Sequence, residues 1–101
     1  IHNAIYFIHQ NYQHHITLED AARHVYLSPT YLSRIFKQES GVSFTRFLNN
    51  VRVEKSKRLL TMTEMRLAEI AGACGFEDQS YFTKVFKKET GMSPKKYRDR
   101  K

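Results

Sequence analysis

The stretch Ser28-Pro29-Thr30-Tyr31-Leu32-Ser33-Arg34-Ile35-Phe36-Lys37-Gln38-Glu39-Ser40-Gly41 returns, fifty positions later, as Asp78-Gln79-Ser80-Tyr81-Phe82-Thr83-Lys84-Val85-Phe86-Lys87-Lys88-Glu89-Thr90-Gly91. Each copy opens on a residue whose side chain caps free helical N–H groups, with Pro29 tolerated at the first helical position. Each closes on a glycine placed to end a helix. Leu32, Ile35 and Phe36 share one face of the first copy, and Phe82, Val85 and Phe86 share the same face of the second. Ahead of each copy lies a shorter apolar pattern, Leu18-Glu19-Asp20-Ala21-Ala22 and Leu67-Ala68-Glu69-Ile70-Ala71. These two are offset by one residue fewer, which places an extra residue in the second turn near Glu77. A short helix, a tight turn and a second helix with a polar outer face is the helix-turn-helix pattern. A duplicated motif in register is far more specific than a single one.

Working outward, Ile1, Ala4, Ile5, Ile8 and Tyr12 recur at helical spacing and predict a first helix ending near Gln13. Thr17, with Asp20 three residues on, resembles a capping box and starts a helix running through Val25. Ser43 caps a longer helix with Phe44, Phe47, Leu48 and Val51 in one stripe, continuing through Leu59 and Leu60. Leu67, Ile70, Ala71 and Cys74 mark another short helix, stopped by Gly75. Gly72 inside it costs about 1 kcal/mol relative to alanine. Ser93 and Pro94 open the last helix. No segment alternates with period two, so the expected class is all-α with seven helices. The expected division is a first lobe over residues 1–42, a linker helix over 43–64 and a second lobe over 65–101. Phe7, Tyr12, Phe36, Phe47, Phe76, Phe82 and Phe86 are expected in the core, and Tyr6 with them.

Composition narrows the classes of function. The 101 residues are 41% hydrophobic and 27% charged, as in an ordinary globular domain. No run approaches the ~18 apolar residues of a membrane span, and no membrane partner is expected. The single Cys74 forms no intrachain disulfide and is expected to pack in the core. Five histidines, His14 and His15 among them, lack carboxylates or cysteines at ligand spacing, so neither metal nor cofactor is expected. No nucleophile with an adjacent base and no phosphate-binding loop is present, which argues against an enzyme.

The net charge of +7 points to nucleic acid or another anionic partner. It is unevenly spread. Residues 1–42 balance Arg23, Arg34 and Lys37 against Glu19, Asp20 and Glu39; residues 43–64 carry five cations and two acids, and residues 65–101 nine cations and five acids. An interaction module docking an acidic protein is the competing class, but such a surface should carry exposed aromatics or Met. Here the face turned from the core is Thr30, Ser33, Arg34 and Lys37 in one helix, and Ser80, Thr83, Lys84 and Lys87, with Gln79, in the other. On an arbitrary amphipathic helix such a face is merely solvated. Inside this repeat it has the donors and acceptors that base edges require: arginine for guanine, glutamine for adenine, hydroxyls for either.

These motifs resemble the AraC/XylS family of bacterial transcription regulators. The resemblance rests on Ile70-Ala71, Cys74-Gly75-Phe76, Ser80-Tyr81-Phe82, Val85-Phe86-Lys87-Lys88, Gly91-Met92-Ser93-Pro94 and Tyr97-Arg98. Leu27-Ser28-Pro29 and Tyr31 to Lys37 match the first motif. The resemblance implies two helix-turn-helix lobes bridged by a long helix from about Ser43 to Thr61, with the recognition helices in adjacent major grooves of double-stranded DNA. Base contacts are then expected from Thr30, Ser33, Arg34, Gln79, Ser80, Thr83 and Lys84. Phosphate contacts are expected from Thr17, Lys37, Ser43, Arg46, Lys87, Ser93, Lys95 and Lys96, where helix N-termini and cations favour anions. RNA polymerase is the expected protein partner, and activation in the bacterial cytoplasm, at the nucleoid, the expected role. Because the chain begins at Ile1 rather than Met, a sensor or receiver domain is expected before it in the full-length protein.

Overall fold

The computed structural model describes residues 1–100, and all of its regular structure is helical, with no strand among them. Its elements are α1 (His2–Asn11), α2 (Leu18–His24), α3 (Pro29–Ser40), α4 (Phe44–Met62), α5 (Leu67–Ala73), α6 (Gln79–Thr90) and α7 (Pro94–Asp99). Two compact units result, Ile1–Val51 and Arg52 onward. Residues 43–64, read from the sequence as a linker helix between lobes, are thus divided between two cores. Phe44, Leu48 and Val51 are buried in the first, and Val53 and Leu60 in the second.

In the first unit Ala4 and Ile8 of α1, Ala21 and Ala22 of α2, and Leu32 and Phe36 of α3 close on the start of α4. The alanines let α2 approach closely, and Phe36 fills the centre with edge-on contacts to Phe44 and Phe47 at 5.8 and 5.3 Å. Tyr6 departs from its expected core position and is 63% exposed. It stands two residues from both Ala4 and Ile8, about 200° around the helix from each. α1 stops at Asn11, whose side-chain amide donates back to Phe7 O at 2.9 Å.

The second unit packs Ile70 and Ala71 of α5 and Phe82, Val85 and Phe86 of α6 against Val53 and Leu60. A run of rings, Phe76 to Phe82 to Phe86 to Tyr97, carries the core from the turn to α7 with centroids 5.1, 5.7 and 5.4 Å apart. Arg98 ties α7 down. Its Nε donates to Leu60 O at 3.0 Å and its Nη2 to Thr63 O at 3.3 Å, at the end of α4 where carbonyls lack helical partners.

Candidate nucleic-acid interface

The capping box at Thr17 forms as expected: Asp20 N donates to Thr17 Oγ1 at 3.1 Å, and Thr17 N donates to Asp20 Oδ2 at 3.0 Å. Hydrogen bonding to the Asp20 carboxyl from the Thr17 backbone N–H, and next from the Thr17 side chain, is the main cause holding it below its usual range; desolvation opposes this, and Arg23 and His15 assist. α2 ends in a Schellman arrangement, with Leu27 N donating to Ala22 O at 2.9 Å and Tyr26 N to Arg23 O at 3.4 Å. The second unit repeats it at Phe76 and Ala71, 2.9 Å, and at Gly75 and Gly72, 3.2 Å. The turns therefore match residue for residue through Phe76, and the extra residue is Glu77, inserted just before the cap of α6.

α3 then starts on Ser28, whose Oγ accepts from Tyr31 N at 3.1 Å, with Pro29 in the first turn. Asp78 caps α6 through Oδ1, accepting from Tyr81 N at 2.8 Å. Both helices end on a left-handed glycine, Gly41 and Gly91, each with φ 85°. Ser40 and Thr90, not singled out from the sequence, bind each exit. Ser40 Oγ lies 2.7 Å from Phe36 O and accepts from Val42 N, and Thr90 Oγ1 does the same with Phe86 O and Met92 N. The signal was available as a hydroxyl residue directly before each glycine. These bonds lead the chain into Ser43 and Ser93, whose Oγ atoms accept from Arg46 N and Lys96 N at 3.2 and 3.1 Å.

With the core faces buried, Thr30, Ser33, Arg34 and Lys37 are all exposed on α3, as are Gln79, Ser80, Lys84 and Lys87 on α6; Thr83 is half-buried. Ser43 and Arg46 are exposed at the start of α4, and Lys95 and Lys96 at the start of α7, with Ser93 half-buried. The first turns of α4 and α7 hold no acid, whereas α2 begins with Glu19 and Asp20. Thr17 therefore offers an anion less than Ser43 or Ser93 does, because its helix end already faces two carboxylates. Lys37, Thr17, Ser43 and Arg46 belong to the first unit with the α3 face. Lys87, Ser93, Lys95 and Lys96 belong to the second with the α6 face.

Residues 21–100 match the model of a family described as a helix-turn-helix domain. The chain is 42% identical over 84 residues to the arabinose operon regulatory protein of Salmonella typhimurium, covering 83% of this chain and 30% of that protein. This chain belongs to the AraC family, as a DNA-binding domain. Domains of known structure agree with it. The C-terminal domain of AraT, a response regulator from Geobacillus stearothermophilus, superposes with a TM-score of 0.95 at 40% identity, covering 99% of this chain and 84% of that one. The DNA-binding domain of AdpA, a global transcriptional factor solved in complex with a target DNA, gives 0.89 at 26% identity, covering 94% and 86%. The family is one of transcription regulators and not of enzymes. This AraC-type chain spans about a third or less of the length of the curated relatives it matches. Among the described residues no helix is long and apolar enough to cross a membrane.

Proposed function

We propose that this domain binds double-stranded DNA sequence-specifically and regulates bacterial transcription, with α3 and α6 each entering a major groove. The observation that carries the proposal is the outer face of small hydroxyls and long cations on the helix after each turn, found twice and exposed but for the half-buried Thr83, with the Gln79 amide added on α6. Thr30, Ser33 and Arg34 of α3, and Gln79, Ser80 and Thr83 of α6, read base edges, and Lys84, a flexible point charge, reaches a base edge or a phosphate. Lys37, Lys87, Lys95, Lys96 and Arg46 neutralise phosphates, aided by the helix starts at Ser43 and Ser93 and, least, at Thr17. RNA polymerase is the protein partner, activation the mode of regulation, and the cytoplasm with its nucleoid the setting.

Arg34 and Lys84 hold equivalent positions and separate the two kinds of contact. The Arg34 fork suits a guanine edge, whereas Lys84 is a flexible point charge. Arg34→Ala is expected to cost about 1–3 kcal/mol on a duplex selected from random sequences and to relax preference at one base pair. Lys84→Ala should weaken preferred and scrambled duplexes alike and lower the salt slope by about one. A salt titration of both variants on both duplexes decides it. Equal loss for Arg34→Ala on the two duplexes would show that α3 does not read bases through this residue.

A further inference from the structure

The Arg34 guanidinium carbon sits 5.5 Å from the centroid of the Tyr31 ring, one turn back on α3. Tyr31 is itself fixed at its backbone, donating to the Ser28 cap, while the residue as a whole is 42% exposed. The equivalent ring in the second unit is used otherwise: Tyr81 packs edgewise on Phe76, centroids 6.1 Å apart, and Lys84 replaces the arginine.

We propose that Tyr31 is a positioning residue for Arg34, holding the guanidinium over its ring in the free protein so that the base-reading fork is set before DNA arrives. This rests on the reading of Arg34 as a base-contacting residue. The physical reason lies in what each kind of partner consumes. A carboxylate would pair with the guanidinium through its N–H donors, the same donors that a guanine edge needs. An aromatic face attracts the cation through the ring quadrupole and takes none of them. An exposed arginine otherwise loses much rotamer freedom on docking, and a ring that restricts it beforehand lessens that loss. Lys84, a point charge with rotating donors, gains little from such alignment. Base preference in the first unit should accordingly depend on Tyr31, through Arg34 and through no contact of its own.

The test is a double-mutant cycle on the selected and scrambled duplexes, with Tyr31→Leu, Tyr31→Phe, Arg34→Ala and the pair Tyr31→Leu with Arg34→Ala. Tyr31→Leu should weaken the selected duplex about two- to five-fold, the range of an exposed cation–π contact of about 0.5–1 kcal/mol, and leave the scrambled one unchanged. Tyr31→Phe should match the parent, and Tyr31→Leu should add nothing once Arg34 is alanine. In the free protein, ring-current shifts on the Arg34 δ-methylene protons should vanish in Tyr31→Leu and persist in Tyr31→Phe. Losses that multiply in the pair, or a Tyr31→Phe loss equal to that of leucine, overturn the proposal while Arg34 keeps its role. If Arg34→Ala alone spares the selected duplex, the base-contact reading fails and the positioning role falls with it.

Discussion

Tyr26 and Gly75 occupy the same place in the two helix-turn-helix turns, and both take positive φ, 62° and 93°. Each is the residue just past the helix end where the Schellman hydrogen bonds demand a left-handed backbone, a conformation that costs a side chain with a Cβ about 1–2 kcal/mol. Tyr26 offsets little of that by burial, since it is 93% exposed. Tyr26→Gly should therefore stabilise the fold by about 0.5–1 kcal/mol, after allowing for the freer unfolded chain. Urea unfolding measures it. A loss of stability would show that the Tyr26 ring supports the first unit.

Gly72 gives the opposite kind of test, a glycine whose backbone makes no special demand. It lies within α5, and a Cβ built on it meets nothing within 4 Å. Gly72→Ala should raise the thermal midpoint through about 0.5–1 kcal/mol of helix propensity. An unchanged or lower midpoint would mean that α5 is not limited by its glycine.

Arg98 is held by carbonyls 35 and 38 residues away. Removing it frees Leu60 O and Thr63 O and unpins α7, so Arg98→Ala should cost about 1–3 kcal/mol, the range of hydrogen bonds made by a charged donor. Arg98→Lys keeps the charge without the fork and should recover only part of this. Hydrogen exchange localises the effect: amides of the last turn of α4 and of α7 should lose protection first. Uniform loss across the chain would count against a local tie.

Burial pushes the Cys74 thiol up to about 11, with Arg52 partly opposing the shift. Only about a thousandth of it is thiolate at pH 8, so alkylation of the native protein should be about a hundredfold slower than in urea. Because the folded value is raised, its stabilisation is whole below the unfolded value of 9.0 and is lost as pH rises towards 11. Comparison with Cys74→Ala between pH 8 and 11 isolates this slope. Alkylation at the same rate with and without urea would show an accessible thiol.

Local chemistry made most of the fold legible. Thr17, Ser28, Ser43, Asp78 and Ser93 stand at helix starts, and Gly41 and Gly91 at helix ends, because caps and left-handed stops are settled within four or five residues. Tyr26 was hidden because nothing about a tyrosine announces a positive φ; its Schellman bonds impose it. Arg98 resembled one more cation at the end of a basic helix, since its partners lie far away in sequence. The linker helix was visible as a helix, but its division between two cores depends on what packs against each half. For the interface, exposure of the outer faces followed from helical periodicity. The stacking of Arg34 on Tyr31 was latent in a three-residue spacing shared by many unstacked pairs.

The outer faces of α3 and α6 have no part in either core, so changes at Thr30, Ser33, Gln79 or Ser80 should scarcely disturb folding. If those faces read bases as proposed, preference and stability are separately heritable in this domain. The two copies differ at such positions, with Lys84 where the first has Arg34 and Thr83 where it has Ser33, while the capping position, the buried Phe36 and Phe86 and the closing glycine keep their places. On the proposed reading, drift can readdress one lobe at a time while the other holds its target, a gradual route between operators that a single-motif reader lacks.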